Sequence, residues 1–147
     1  MASELGDAVW KQHLAEHNRA VRRQLERFRG REIDTTGDGF LAIFDSAGAA
    51  LLCALAAGEA TRELGIEIRA GVHTGEIEIL PNDVRGIAVH ATARVMASAQ
   101  PSEVFTSSIT RDLAEGTGLG FEDRGSFALK GLETPMELFA VARVAAR

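Results

Sequence analysis

Asp38 lies in a short turn that could present its carboxylate to a metal ion. Asp34 and Asp38 are four residues apart, and the turn Gly37-Asp38-Gly39 joins two short segments rich in strand-forming residues. Carboxylate oxygens are the ligands that hard cations such as Mg2+ and Mn2+ prefer. Asp-Gly is also a common hairpin turn for conformational reasons alone. The turn by itself therefore leaves open whether Asp38 binds a metal.

The same segment partly matches the spacing of a calcium-binding EF-hand loop. Positions one, three, five, six and twelve of such a loop are occupied by Asp34, Thr36, Asp38, Gly39 and Asp45. However, Ala42 supplies no side-chain ligand at position nine, and Asp45 is shorter than the usual glutamate. Residues 40–44 are also typical of a strand. These features argue against a calcium loop.

A second group of polar residues belongs to a predicted helix over residues 87–99. Asp83 lies near its start, and His90 and Arg94 are four residues apart, so they share one helix face and can reach one ligand. Arg94 is a permanent cation suited to phosphate. From these residues alone, however, Arg94 could equally form a surface ion pair, and His90 could be a packed core histidine.

Hydrophobic periodicity predicts the elements that must position these groups. One apolar stripe at steps of three and four, on a helix ending near Gly30, is formed by Trp10, Leu14, His17, Val21, Leu25 and Phe28. Further helices are predicted over residues 46–64, 87–99 and 108–113. Strands are predicted over residues 32–36, 40–44, 66–72, 104–106, 126–130 and 137–141. This mixed order predicts an α+β fold, with residues 1–147 forming a single domain. His17 is interpreted as a core residue.

The composition excludes several classes of protein. The chain has 147 residues, of which 46% are hydrophobic, enough for a buried core. A net charge of -5 and an aromatic content of 5% disfavour nucleic-acid binding. Cys53 is the only cysteine, so an intrachain disulfide is impossible. Without a long apolar run or a secretory signal, we expect a cytoplasmic protein that does not insert into membranes.

Several motifs occur in the order found in class III adenylyl and guanylyl cyclase catalytic domains. Residues 31–40 (REIDTTGDGF) resemble the metal-binding hairpin of that family, and residues 71–75 (GVHTG) resemble its following strand and glycine turn. Residues 83–94 (DVRGIAVHATAR) are similar to its substrate-binding turn and catalytic helix. Residues 127–131 (FALKG) and 138–141 (LFAV) are similar to its closing strands. Ordered matches over roughly residues 10–141 are more specific than any single motif.

The resemblance implies a fold and an activity. The fold would be a ferredoxin-like cyclase core of the βαββαβ type with a C-terminal strand-helix-strand extension. The activity would convert ATP or GTP to the 3′,5′-cyclic nucleotide and pyrophosphate, with two Mg2+ or Mn2+ ions assisting. In this family the active sites form between two subunits, which implies a homodimer or a heterodimer with another cyclase domain.

The resemblance also implies roles for individual residues. Asp38 matches a metal-binding aspartate, Arg94 the arginine that stabilises the transition state, and Asp83 a residue that contacts the purine. His90 stands on the catalytic helix where many members have asparagine, and Lys130 lies near a phosphate-binding lysine. These residues are the predicted metal, catalytic and substrate-binding groups.

Two departures from the family pattern are expected to lower the activity. Asp34 occupies a purine-selecting position where adenylyl cyclases usually carry lysine and guanylyl cyclases glutamate. A carboxylate there accepts from guanine donors, whereas Asp83 suits adenine, so the predicted base preference is mixed. The family's first core strand, of the type Phe-x-Asp-Ile, has no counterpart before Trp10.

The missing first strand leaves three possibilities: the true start lies upstream, the domain is degenerate, or another chain donates the strand. We therefore expect impaired catalysis by the 147-residue chain. The alternative interpretation is a non-catalytic cyclase-like module that binds nucleotide or dimerises to regulate an intact cyclase.

Overall fold

The structure is a computed structural model that describes residues 2–36, 39–81 and 83–144. Its helices are α1 (Ala2–Arg27), α2 (Ala47–Glu63), α3 (Ile87–Ser98) and α4 (Ser108–Leu113). Its first strands are β1 (Arg31–Thr36), β2 (Gly39–Ile43), β3 (Ala70–Val72), β4 (Glu78–Leu80) and β5 (Asp83–Arg85). The remaining strands are β6 (Val104–Ser107), β7 (Leu119–Phe127) and β8 (Met136–Arg143).

The central element is a four-stranded mixed sheet in the order β3-β6-β8-β7. β3 runs parallel to β6, whereas β6 with β8 and β7 with β8 are antiparallel. β1 with β2 and β4 with β5 form two separate antiparallel hairpins. The predicted α+β class is confirmed. Within the described chain, β2 and β3 each keep one edge that pairs with no other strand.

Helices cover both faces of this sheet. Val104 of β6 packs in one cluster with Leu51 of α2, and the next residue, Phe105, packs in another with Val95 of α3. Consecutive strand residues point to opposite faces, so α2 and α3 lie on opposite sides of the sheet. The sheet is therefore a middle layer between two helical layers.

The apolar stripe of α1 is buried only along its second half. Val21 and Leu25 pack against Cys53 and Ala57 of α2. His17 is 2% exposed, which confirms its prediction as a core residue. Trp10, predicted on the same stripe, is 54% exposed, so that part of the prediction is wrong. The reason is the difference in length: α1 has 26 residues and α2 has 17, so the first half of α1 extends beyond the helix against which it packs.

Several predicted boundaries need correction. The strand predicted over 66–72 is reduced to β3, because the Ile68 carbonyl accepts the Ser102 N–H (2.8 Å) in a loop contact outside the strand ladder. The strand predicted over 126–130 is instead the end of the longer β7, which leaves Lys130 in the following turn. The hairpin β4-β5 was not predicted, since three-residue strands carry too little alternation to recognise.

Close packing between α3 and β3 depends on one glycine. A Cβ added at Gly71 would overlap the backbone nitrogen and Cα of Met96 in α3. The helix can therefore cross directly over the strand only because residue 71 has no side chain. This contact fixes the position of α3, which carries two of the predicted site residues.

Candidate active site

α3 presents two different faces to its surroundings. Ala88 and Thr92 line a cavity beside β3. His90 and Arg94 are displaced from them by about 200° around the helix axis, at about 100° per residue. The predicted catalytic pair thus occupies the face of α3 that turns away from the cavity.

His90 holds the segment that contains Lys130. The His90 Nε2–H donates to the Lys130 carbonyl oxygen over 3.1 Å, although the two residues are 40 positions apart in sequence. Gly131 follows with a φ of 86°, and a Cβ there would lie 2.5 Å from His90 Nε2. Leu129, on the other side of Lys130, is buried in the core with Val95. The structure therefore brings together two of the predicted site residues.

Arg94 lies one helical turn beyond His90. Its Nε is buried and has no hydrogen-bond partner among the described residues. A buried donor on a charged group normally has a partner, because leaving it unpaired costs about 1–3 kcal/mol or more. Arg94 is therefore available to an anion that reaches this face.

Asp83 lies on β5, four residues before α3, and its side chain is exposed. Its Oδ1 accepts the N–H of Val84 over 2.8 Å, which holds the carboxylate beside its own strand. β5 is a close neighbour of β1, the strand that carries Asp34. The backbone of Asp34 is paired opposite Leu41 just after an irregularity in the hairpin register.

Two of the predicted site residues fall wholly or partly outside the described part of the chain. Asp38, the predicted metal ligand, lies outside the described residues, as does the side chain of Asp34. Within residues 6–33, 39–81 and 83–144, whose side chains are described, no three His, Cys, Asp or Glu residues are grouped to hold a metal. The described side chains alone therefore do not make a metal site.

A cavity of about 500 Å³ opens between the hairpin β1-β2 and the central sheet. Its walls include Leu41 and Ile43 of β2 and Gly71 and Val72 of β3. Ala50 of α2 also lines it. Residues of both strands thus border the same space.

His73 and Thr74, which line this cavity, belong to a hydrogen-bonded cluster that the sequence did not reveal. His73 Nδ1 lies 2.7 Å from Ser107 Oγ, Ser107 Oγ lies 3.1 Å from Thr110 Oγ1, and Thr110 Oγ1 lies 2.9 Å from Thr74 Oγ1. Burial lowers the pKa of His73 from its ordinary value. The cluster joins residues more than 30 positions apart, and no local pattern signals such a pairing.

Cys53 is a buried free thiol, and burial raises its pKa to about 11. A thiol with that pKa stays protonated at neutral pH and is a poor nucleophile. Cys53 is a core residue that packs in one cluster with Val21 and Leu25. Within the described chain, none of the helices has the length and hydropathy needed to span a membrane.

Comparisons with known proteins converge on one family. The family model described as "Adenylate and Guanylate cyclase catalytic domain" matches residues 4–143. A putative adenylate cyclase 3 of Rhizobium meliloti is 34% identical over 120 residues, which cover 76% of this chain. An uncharacterized protein of Mycobacterium tuberculosis is 34% identical over 102 residues, or 67% of this chain. The matched regions make up only 20% and 35% of those two proteins.

Solved structures give the same result at the level of the fold. The adenylate/guanylate cyclase/hydrolase from Silicibacter pomeroyi has a TM-score of 0.81 and 30% identity, with 95% of this chain and 88% of that chain covered. The adenylyl cyclase CyaB from P. aeruginosa has a TM-score of 0.82 and 20% identity, with 99% and 89% covered. At 20% identity the second likeness concerns the fold alone.

Proposed function

Because this chain belongs to the adenylate and guanylate cyclase catalytic domain family, we propose that it is a class III nucleotidyl cyclase domain whose own catalysis is impaired. Its substrate is ATP, with GTP as the other candidate, and its products are the 3′,5′-cyclic nucleotide and pyrophosphate. The observation that carries this proposal is Arg94, a cation whose buried Nε has no partner among the described residues. The α-phosphate of the bound nucleotide is the anion that would satisfy it, in the ground state as well as in the transition state.

The neighbours of Arg94 have supporting roles in this proposal. The hydrogen bond from His90 fixes the position of the Lys130 backbone. From this position the ammonium group of Lys130 can reach a phosphate. Asp83 is exposed on β5 and can accept a hydrogen bond from the adenine amino group. Asp34 can accept from the N1–H and N2–H donors of guanine. The purine preference therefore depends on which of the two carboxylates meets the base.

The proposed cofactor is Mg2+ or Mn2+, with Asp38 as one ligand. When bound, such ions neutralise phosphate charge and lower the pKa of the attacking hydroxyl. The described side chains lack a metal cluster. Asp34 is a further carboxylate on the same hairpin. Because it departs from the residue types usual at that position of the family, we expect weak turnover.

The proposal is tested by nucleotide binding to the purified chain. Calorimetric titration with ATP and with GTP should show about tenfold or greater weakening in Arg94→Met, since a charge-assisted contact contributes about 1.5–3 kcal/mol. Arg94→Lys should lose less, because it keeps the charge without the planar fork. Arg69→Met removes an exposed cation elsewhere and is the matched control. Equal affinities in all four proteins would contradict the role of Arg94.

Turnover is tested separately, because a protein can bind a nucleotide without converting it. Incubation with Mn2+ and ATP or GTP should give very little cyclic nucleotide from this chain. Robust production by the purified protein would contradict the proposed impairment, though not the family.

A second candidate function is a non-catalytic module that binds nucleotide or dimerises to regulate an intact cyclase. The observation that favours it is that, among the residues the structure describes, one edge of β2 in the predicted metal hairpin and one edge of β3 pair with no other strand. Co-expression with an active cyclase should then change the activity of that partner. An unchanged partner activity would remove this candidate.

A further inference from the structure

Arg22 of α1 contacts both strands of the hairpin β1-β2. Its Nε donates to Glu32 Oε1 over 2.9 Å and its Nη2 donates to Glu32 Oε2 over 3.1 Å, on β1. Its guanidinium carbon lies 5.4 Å from the centre of the Phe40 ring, on β2. A planar guanidinium that forms two parallel bonds with a carboxylate fixes the direction of the contact as well as its distance. Arg22 therefore holds the hairpin in one orientation against α1.

The orientation of this hairpin depends on side-chain contacts. Among the described strands, β1 and β2 pair only with each other, so the hydrogen bonds of the central sheet do not fix the angle of the hairpin. Phe40, Ala42 and Phe44 pack against a buried cluster of α1 and α2 residues. These three residues all belong to β2, whereas the pair of Arg22 with Glu32 joins α1 to β1.

The strand β1 is irregular directly after Glu32. Glu32 is paired opposite Ala42 and Asp34 opposite Leu41, so β1 advances by two residues while β2 advances by one. Such a bulge bends the strand that carries the extra residue. Asp34 follows the bulge and lies about 7 Å along the strand from Glu32, at 3.3–3.4 Å per residue. The place of the Asp34 backbone thus depends on how β1 is held at Glu32.

The ion pair itself adds little to the stability of the fold. The side chains of Arg22 and Glu32 are 48% and 31% exposed, and water screens exposed ion pairs. Groups that recognise a ligand, by contrast, must be held within about 0.5 Å of their working positions. Loss of the pair should therefore leave the chain folded, which allows its effect on binding to be measured.

We infer that Arg22 is a positioning residue for purine selection, because it holds β1 through Glu32 and thereby sets the place of Asp34 relative to the base of a bound nucleotide. The inference rests on the proposed function, in which Asp34 accepts hydrogen bonds from guanine and Asp83 accepts one from adenine. Asp83 lies on β5, in the other hairpin. Loss of Arg22 should therefore weaken the binding of GTP more than the binding of ATP.

Calorimetric titration of the purified chain with GTP and with ATP tests this role. Arg22→Met keeps an unbranched side chain and removes the guanidinium. We expect about fivefold weaker binding of GTP and a change of less than about twofold for ATP, because a misplaced acceptor loses part of a charge-assisted hydrogen bond. Arg22→Lys keeps the charge without the two parallel bonds, so its GTP affinity should lie between those of Arg22→Met and the wild type.

Arg143 provides the matched control. Its Nε and Nη2 donate to the two carboxylate oxygens of Glu59 over 2.7 and 3.1 Å, and its side chain is 45% exposed. This pair has the same form as that of Arg22 but joins β8 to α2. Arg143→Met should therefore leave the ratio of GTP to ATP affinity as in the wild type. Circular dichroism checks that each variant is folded, and Arg22→Gln replaces Arg22→Met if the latter is not.

Double variants test the route from Arg22 to the base. In an Asp34→Ala background, Arg22→Met should no longer change the affinity for GTP, because the carboxylate that it positions is gone. In a Glu32→Gln background, Arg22→Met should change the affinity ratio less than it does in the wild type, because both substitutions weaken the same contact. A full effect of Arg22→Met in either background would overturn the inference.

The remaining outcomes separate this inference from the proposed function. Equal weakening of GTP and ATP by Arg22→Met would show that Arg22 acts on the phosphates through its charge, and an unchanged affinity for both would show that it has no part in binding. Either result overturns the role of Arg22 and leaves the proposed function standing. A wild type that binds neither nucleotide contradicts the proposed function, and the role of Arg22 with it.

Discussion

Arg94 and His73 both have buried polar atoms, but they differ in whether those atoms have a hydrogen-bond partner. The Nε of Arg94 is buried without a partner among the described residues, whereas His73 is hydrogen-bonded to Ser107. The exposed ion pairs, such as Arg143 with Glu59 at 2.7 Å, hold β8 to α2 at little net gain in water. Unsatisfied burial at Arg94 is therefore the more informative signal of a binding role.

His73 should make the folded chain less stable in mild acid. Burial holds the pKa of His73 below its ordinary value of 6.5, so the unfolded chain takes up a proton before the folded chain does. The unfolded state then binds more protons, and the free energy of unfolding falls as the pH drops from about 7 through 6.5 towards the depressed pKa. Above that window both states are neutral and His73 contributes no pH dependence.

Urea denaturation between pH 8 and pH 5.5 measures this effect. His73→Asn removes the titrating ring and should flatten the slope of stability against pH in the window just below 6.5. A variant with the same slope as the wild type would show that His73 does not carry the dependence.

Among the elements, the crossing of α3 over β3 should be sensitive to one methyl group. Gly71→Ala places a Cβ against the backbone of Met96, which cannot rotate away, and should destabilise the chain by about 1–3 kcal/mol. Gly6→Ala is the matched control on α1, where a Cβ meets nothing within 4 Å. It should be neutral or stabilising by up to about 1 kcal/mol. Equal effects of the two substitutions in denaturant titrations would contradict the close crossing.

Two glycines with similar φ values allow the effect of the contact between α3 and the Lys130 turn on stability to be measured apart from the effect of backbone strain. Gly131 and Gly65 have similar φ values of 86° and 81°, but only Gly131 has a neighbour, His90, where a Cβ would stand. Both Ala substitutions should cost about 1–2 kcal/mol for the left-handed backbone. Gly131→Ala should cost more, because His90 must leave its bond to the Lys130 carbonyl.

A double-mutant cycle checks this prediction. In a His90→Ala background, the excess cost of Gly131→Ala over Gly65→Ala should disappear. Persistence of the excess would mean that the crowding comes from a group other than His90.

For the whole molecule, two exposed apolar residues lie beside the candidate site. Ile87 at the start of α3 is 77% exposed, and Ile79 on β4 is 53% exposed. The family resemblance implies that the active site forms between two subunits, and a surface containing these two residues is suited to such an interface. We expect a dimer that dissociates on dilution.

Sedimentation velocity over a range of concentrations tests the dimer. Ile87→Asp should shift the chain to monomer, because an unpaired charge in an interface is unfavourable. Ile109→Asp changes a 50% exposed residue on α4 and is the control that should leave association unchanged. A strictly monomeric wild type at high concentration would contradict the proposed dimer.

The sequence alone was sufficient to predict whether most elements are helices or strands, and to predict the family. The alternation of hydrophobic residues and the helical steps of three and four depend on local geometry, so α1, α2, α3 and the hairpin β1-β2 could be predicted from neighbours in the chain. The ordered motifs around Asp38, His90 and Arg94 indicated the cyclase family, which the family comparison confirms. The roles of these residues stay predictions.

Only the tertiary structure decided which distant groups meet. The bond from His90 to the Lys130 carbonyl, the His73–Ser107 cluster and the passage of α3 over Gly71 all join residues far apart in sequence. Such contacts depend on how the helical and strand layers pack and on which elements the loops connect, and the local hydrophobic periodicity of the sequence does not determine either. Within the described part of the chain, the open edges of β2 and β3 likewise depend on the tertiary structure, because an unpaired strand edge is a property of the whole sheet and not of the strand's own residues.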